Sequence, residues 1–220
     1  MTRKRKLILL FCLLSFVILT SSMIIQTQTD DLVYYYKYDK FLEIDKDYLT
    51  GIDINRAVEN NSGLKMIYEN WTGDKCIADE IIRRCIQFDV PLNLAFAVAK
   101  KESNFDPNAV NINYDEEGQI TSVDRGIFQL NSKSFPQLTE EQMFNYKTNI
   151  YYGVSYLHYC IESFDTDSDS LIAYNAGHSN VLKVRSTSYT QDILSTQSSL
   201  DDLFNQKKEA IKYEERFIRG

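Results

Sequence analysis

One glutamate, Glu102, stands out because of where the sequence places it on a predicted helix. At about 100° per residue, it falls on the small, apolar helix face formed by Ala95, Val98 and Ala99. The backbone restriction before Pro107 ends this helix soon afterwards, so Glu102 lies in the last turn. Burial and the carbonyl end of the helix dipole both raise the pKa of a carboxyl group there. A carboxyl group that stays protonated near neutral pH can act as a general acid, whereas an ordinary helix-end glutamate faces solvent and stays charged.

The composition is that of a globular protein with an acidic body. The chain has 220 residues, of which 44% are hydrophobic and 25% charged, and its net charge is −7. Residues 3–6 are all basic, so the rest of the chain is more acidic still. Such a body is a poor match for nucleic acid, which we do not expect as a partner. The only histidines are His158 and His178, and CxxC and HExxH motifs are absent, so the sequence predicts neither a metal site nor a histidine-based triad.

The N-terminus is predicted to direct export. Four basic residues precede an apolar run from Leu7 to Ile25, with small residues at 20–22 that suit cleavage. The run is roughly 19 residues long, close to the ~20 that span a bilayer, so residues 1–25 are either a signal peptide or a membrane anchor. In both cases the basic flank stays cytoplasmic and the rest is exported. We therefore expect the protein in the cell envelope, in the periplasm, either released or anchored in the inner membrane through residues 7–25.

The remaining sequence divides into three parts of different character. Residues 26–73 are charged and rich in tyrosine, and we interpret them as an N-terminal extension. Residues 74–185 carry sharp helix and strand patterns and form the predicted main domain. Residues 186–220 are polar with only weak helical periodicity, which predicts a C-terminal tail.

Within the main domain the pattern is mainly helical. Asp74 is a predicted N-cap, and a long helix is predicted from Glu140 to Phe164. Alternating apolar residues across 110–123, with a turn in the middle, predict a small β-hairpin. A short helix near residues 171–175 is expected to stop at Gly177. The fold class predicted is α+β, mainly α, with one small β-hairpin, after an N-terminal hydrophobic segment.

Three cysteines follow the export segment. Cys76 and Cys85 fall on one predicted helix, about 13.5 Å apart at its rise per residue, and cannot form a disulfide. Cys85 could pair with Cys160 in an exported domain, but free and buried thiols are the simpler expectation.

Four short motifs follow one another in a specific order. They are Lys101–Phe105 with Pro107–Val110, then Gly126–Asn131, then Asn149–Leu157, and last Ala173–Gly177. Together they resemble the lysozyme-like domain of the soluble lytic transglycosylase (SLT) family, which is related to goose-type lysozymes. The resemblance covers about Asp74 to Lys183, roughly half of the chain, and implies a lysozyme-like helical fold for the domain at 74–185.

The resemblance implies a role for each of five residues. Glu102 matches the catalytic glutamate of the family. Ser103 matches the neighbouring serine that helps to orient this carboxylate and the substrate. Gln129 matches the glutamine of the Gly-x-x-Gln motif on the cleft wall. Tyr174 and Asn175 match the Ala-Tyr-Asn-Ala-Gly motif, whose tyrosine lies close to the glutamate and could hold it by a hydrogen bond.

The resemblance also implies a reaction. Family members cleave the β-1,4 bond between N-acetylmuramic acid and N-acetylglucosamine in peptidoglycan, using one glutamate first as acid and then as base. The product ends in a 1,6-anhydro ring, and neither a cofactor nor a metal is required. The implied partners are peptidoglycan glycan strands, and the sequence does not identify a partner in the envelope machinery.

Two alternatives stay open at the level of sequence. A hydrolytic lysozyme would need a second carboxylate to activate water. A non-catalytic glycan-binding scaffold would keep the fold without using Glu102. Candidates for a second carboxylate near the hairpin are Asp106, Asp115, Glu116, Glu117 and Asp124.

Overall fold

A computed structural model describes residues 54, 55, 57–59, 61–183 and 187–219, with side chains described as far as residue 211. The predicted export segment, residues 1–25, and the part of the extension up to residue 53 lie outside the described residues. In the part of the chain that is described, no helix is both long enough and apolar enough to cross a membrane.

Three helices that the structure describes between residues 62 and 103 follow one another through short capped turns, and successive helices pack together. Asn61 and Asp74 each accept hydrogen bonds from two backbone N–H groups at the start of a helix, which confirms Asp74 as a predicted N-cap. The third helix is the centre of the core, because every residue from 92 to 99 is buried. It ends at Asn104, whose φ of 55° is left-handed. The helices are α1 Ser62–Thr72, α2 Lys75–Phe88 and α3 Leu92–Ser103.

The predicted hairpin is confirmed and is extended by a third short strand. The strands are β1 Val110–Tyr114, β2 Ile120–Arg125 and β3 Leu130–Asn131, paired antiparallel in the order β1-β2-β3. Asn111 pairs with Asp124 across the hairpin, and Asn113 pairs with Ser122. Because side chains alternate along a strand, these four share one face of the sheet. The opposite face carries exposed apolar side chains, among them Ile112 and Tyr114.

The prediction of one long helix from Glu140 to Phe164 is wrong in one respect, because the helix is broken at Asn145. The break separates α4, Glu140–Phe144, from α5, Tyr146–Ser163. Asn145 has an extended backbone with ψ of 112°, and its side chain accepts a hydrogen bond from the N–H of Thr148. An asparagine side chain thus starts a new helix instead of continuing the old one. The short helix α6, Asp167–Ala176, ends at Gly177 as predicted, and one 3₁₀ turn, His178–Asn180, follows.

The predicted C-terminal tail is a helix that belongs to the folded domain. This helix, α7, spans Ser188–Arg219 and packs against both α3 and α1. Ile193, Leu200 and Phe204 of α7 are buried in the main core. The boundary expected near residue 185 therefore does not separate this helix from the rest of the fold.

The three cysteines that the structure describes are all free. Cys76 and Cys85 lie on the same helix, α2, as predicted. Cys85 is buried, whereas Cys76 is exposed, so the expectation of buried thiols is wrong for Cys76. Cys160 is buried in a second cluster between α5 and α6. Burial raises the pKa of both buried thiols, that of Cys160 to about 12, so both stay protonated and act as apolar packing groups.

Candidate active site

A cleft of about 1020 Å³ opens between the helical part of the domain and the small sheet. The C-terminal end of α3 forms one side, β1 and β2 form the other, and the end of α6 closes one edge. All five residues singled out in the sequence line this cleft: Glu102, Ser103, Gln129, Tyr174 and Asn175.

Glu102 is half-buried at the helical side of the cleft, and its carboxyl group keeps its proton up to near neutral pH. Its pKa is raised from 4.5 to about 7, mainly because burial disfavours the charged form. The negative charge of Asp124 raises the pKa further. A hydrogen bond from Tyr189 and the positive charge of Lys101 lower it without overcoming burial. At neutral pH this carboxyl group is thus divided between a form that can donate a proton and one that can accept it.

The hydrogen bond expected from Tyr174 to Glu102 is made by a different tyrosine. Tyr189, near the start of α7, donates its hydroxyl to Oε1 of Glu102 at 2.5 Å. Tyr174 instead donates to the backbone carbonyl of Phe128 at 3.0 Å. Burial and the nearby Glu102 raise the pKa of both phenols well above 10, so both remain donors.

Sequence reasoning missed Tyr189 because it lies in the polar segment interpreted as a tail. A weak signal was available in that segment. Tyr189, Ile193, Leu200 and Phe204 recur at intervals of four and seven residues, which places them on one face of a helix.

Ser103 and Gln129 hold the turn that forms the floor of the cleft. The hydroxyl of Ser103 donates to the carbonyl of Ile127 at 2.8 Å, so it ties α3 to this turn instead of bonding to Glu102. The amide of Gln129 donates to the carbonyl of Gly126 at 2.8 Å, while its own backbone takes a left-handed φ of 47°. Asn175 is exposed at the end of α6, where it is free to contact a ligand in the cleft.

The same turn is fixed by Asn149 of α5, whose side chain packs closely against Gly126 and bonds to the backbone of the turn. Asn149, fully buried on α5, accepts a hydrogen bond from the N–H of Phe128 at 2.8 Å and donates to the carbonyl of Arg125 at 2.8 Å. A side chain at Gly126 would approach the Asn149 amide to 2.4 Å, and its φ of +75° also requires glycine. A side chain at Gly153 would approach the Phe128 ring to 2.3 Å, so the second glycine makes room for that ring. These contacts explain why the two motifs occur together.

The sheet side of the cleft carries a carboxylate in quite different surroundings. Asp124 lies on β2 and accepts three hydrogen bonds, each from an asparagine amide. Asn111 and Asn113 donate to Oδ2 at 3.1 and 2.9 Å, and Asn131 donates to Oδ1 at 2.7 Å. We call Asn111, Asn113 and Asn131 the asparagine cradle. Asp124 is the only one of the five hairpin carboxylates named from the sequence that lines the cleft.

Within the described residues, no group of three or more histidine, cysteine or acidic side chains could hold a metal ion. The cleft also presents lysines and aromatic rings. Lys100, Lys101 and Lys133 line it, and the Nζ of Lys101 forms an ion pair with Asp192 of α7 at 2.7 Å. Phe135 and Tyr156 line it as well, with ring centroids 6.0 Å apart in an edge-to-face arrangement. Such rings offer stacking surfaces for sugars.

The chain is similar to several known proteins. The family described as "Transglycosylase SLT domain" matches residues 80–196. Protein IpgF of Shigella flexneri is 30% identical over 113 residues, which are 49% of this chain and 71% of IpgF. Protein IpgF of Shigella sonnei matches to the same extent. A solved structure of an inactive mutant of the lytic transglycosylase Slt from Pseudomonas aeruginosa aligns with a TM-score of 0.44 at 20% identity, over 58% of this chain and 24% of that one.

The family match thus places this fold in the class of peptidoglycan lytic transglycosylases. The chain belongs to the transglycosylase SLT family, whose match covers more than half of its residues. The mainly helical α+β architecture predicted from the sequence is confirmed, and the matched region extends into α7, beyond the boundary that the sequence suggested.

Proposed function

We propose that this enzyme cleaves the β-1,4 bond between N-acetylmuramic acid and N-acetylglucosamine and leaves a 1,6-anhydro end. The observation that carries the proposal is Glu102, whose pKa of about 7 lets one group act both as acid and as base. An open cleft of about 1020 Å³ suits a glycan strand better than a small molecule.

In the first step, protonated Glu102 gives its proton to the glycosidic oxygen as the bond from that oxygen to C1 of the muramic acid breaks. The departing sugar keeps this proton on its 4-hydroxyl group. The positive charge left on the muramic acid can be stabilised by its own acetamido group.

In the second step, the oxygen of the C6 hydroxyl of the same muramic acid attacks C1. Its proton passes to the Glu102 carboxylate, which returns the enzyme to its starting state. No water is consumed. Because the attacking hydroxyl belongs to the bound sugar, the reaction gains from proximity.

Hydrolysis would require another group that holds and activates a water molecule. Of the hairpin carboxylates considered, Asp106, Asp115, Glu116 and Glu117 do not line the cleft. Asp124 does, but three amide donors bind its oxygens. Because these donors already occupy both carboxylate oxygens, Asp124 is poorly placed to hold and activate a water molecule. This contrast supports the intramolecular route.

Digestion of peptidoglycan in heavy-oxygen water tests the chemistry. We expect the 220-residue chain to release fragments with anhydro ends and without label, and Glu102→Gln to release almost none, since general acid–base catalysis is worth roughly 10²–10⁴-fold. Label on most new ends would make this protein a hydrolytic lysozyme. Binding of glycan without any cleavage by the unaltered chain would make it a scaffold.

The proposal includes export, because peptidoglycan lies outside the cytoplasmic membrane. The motivation is the basic flank at residues 3–6 followed by the apolar run up to Ile25. In cells with a permeabilised outer layer, added protease should digest the domain. A domain that is digested only after the inner membrane is broken would contradict export. The size of the mature chain distinguishes a cleaved signal peptide from a retained anchor.

A further inference from the structure

We infer that Asp124 is a second functional carboxylate of this cleft, one that stabilises the positive charge that develops on the cleaved sugar. This inference rests on the proposed function, since it assigns Asp124 to the same reaction. Its role is electrostatic, in contrast to the proton transfers of Glu102.

The position of Asp124 follows from the register of the hairpin. Asp124 pairs with Asn111 of β1 and with Asn131 of β3, so it lies in the middle strand of the sheet. Strand alternation puts it on the face that lines the cleft, together with Asn113 and Ser122. The opposite face of the hairpin is apolar and exposed. The sheet therefore presents one carboxylate to the cleft, surrounded by neutral polar groups.

The asparagine cradle fixes Asp124 without neutralising it. Amide donors satisfy both carboxylate oxygens at 2.7–3.1 Å, and they carry no charge. Among the described residues, Asp124 forms no ion pair with a lysine or arginine. Its neighbour Arg125 pairs with Glu140 at 3.3 Å instead. A full negative charge is thus held in a preset position that faces the cleft.

A fixed negative charge in a cleft favours a reaction in which positive charge develops. The same charge already acts on Glu102, whose pKa it raises. The other groups that shift the pKa of Glu102 are Lys101 of its own helix and Tyr189 of α7, and both lower it. Tyr174 of α6 also lies nearby, since the charge of Glu102 raises the pKa of its phenol. Among these groups, Asp124 alone has a negative charge that helps to keep Glu102 protonated and that attracts the positive charge of the transition state.

The test removes the negative charge of Asp124 and keeps the shape of its side chain. We expect Asp124→Asn in the 220-residue chain to lower kcat on soluble glycan strands by roughly 10²-fold, with a much smaller change in KM. The alkaline limb of the pH profile should also move to lower pH, because Glu102 loses the charge that raises its pKa. Asp124→Ser is the second variant. Its hydroxyl oxygen can accept a hydrogen bond from the cradle, and this variant avoids placing the N–H donors of an introduced asparagine amide against the donors of the cradle. It should show both effects.

Glu116→Gln is the matched control, because it removes one charge from the turn of the same hairpin, outside the cleft. We expect it to keep the kcat and the pH profile of the unaltered chain. Asn111→Ala removes one arm of the cradle and leaves the charge, so its alkaline limb should stay in place. Circular dichroism and urea unfolding would verify that each variant is folded.

If folded Asp124→Asn or Asp124→Ser keeps the original kcat and alkaline limb, the inference is overturned. It is also overturned if Asn111→Ala moves the limb as far as Asp124→Asn does, which would make Asp124 a structural residue of the sheet. Both outcomes leave the proposed function intact as long as Glu102→Gln stays inactive and the product stays free of label. Activity in Glu102→Gln would instead refute the proposed function itself.

Discussion

Glu102 on the helical side of the cleft and Asp124 on the sheet side face the same space in opposite surroundings. Glu102 sits on the helix with the most buried face in the domain and accepts one hydrogen bond, from Tyr189. Asp124 sits on a half-buried strand and accepts three hydrogen bonds. Burial raises the pKa of Glu102 to about 7, whereas Asp124 is held by neutral amide donors on both of its oxygens.

The difference teaches how one cleft can give two carboxylates two roles. A helix that is buried along its length offers a carboxyl group few donors, since its own N–H groups are used within the helix. A middle strand flanked by strands that carry asparagines offers a carboxylate several amide donors. Two acids in such different surroundings can serve different functions in one cleft.

The largest effect on stability should come from the helical side, through Glu102→Gln. The carboxyl pKa is 4.5 in its ordinary state and about 7 in the folded chain, so between these values only the folded chain holds the proton. Rising pH therefore lowers the free energy of unfolding across this window, and the loss is complete above about pH 7. The Gln variant lacks this loss and should be more stable at pH 8 by up to about 3 kcal/mol.

Urea unfolding of both proteins from pH 4 to pH 8 would measure this difference. The two stabilities should converge near pH 4 and separate as the pH rises. Glu116→Gln, with an exposed carboxylate, should run parallel to the unaltered chain. Parallel curves for Glu102→Gln as well would mean that Glu102 titrates like a surface residue, and the contrast with Asp124 would be lost.

Much of the helical side could be predicted from the sequence, because its signals are local. The apolar face around Glu102, the cap at Asp74 and the stop at Gly177 depend on residues within a few positions of each other. The hairpin was also predictable from its alternation. Its third strand was not, since Leu130 and Asn131 form only two residues of strand and are defined by their pairing with β2.

The parts that were missed depend on contacts between distant segments. Tyr189 reaches Glu102 across 87 positions of sequence, and nothing in its own neighbourhood indicates that partner. The asparagine cradle is similar, because Asn131 meets Asp124 only once β3 has paired with β2. The motif with Tyr174 led to the wrong phenol, since a motif indicates that a residue matters without indicating which atom it contacts.

The two tyrosines provide the finest test of the comparison. Tyr189→Phe removes a hydrogen bond that lowers the pKa of Glu102, so the alkaline limb should move to higher pH, by up to about one unit. This shift is opposite in sign to the one expected for Asp124→Asn. A kcat profile over pH 5–9 for both variants, on the same substrate, would show whether the limb reports on Glu102. Shifts in the same direction would mean that it reports on another group.

Tyr174→Phe is the matched control and should have the smallest effect. Its hydroxyl bonds to the carbonyl of Phe128, not to Glu102, so its loss should leave the alkaline limb in place. The unpaired carbonyl lies in the turn that forms the cleft floor, and its loss of a partner should cost about 1 kcal/mol of folding free energy. Urea unfolding would measure that cost, and the pH profile would measure the limb. If the alkaline limb moves in Tyr174→Phe but not in Tyr189→Phe, the hydrogen bond to Glu102 comes from Tyr174, as the sequence first suggested.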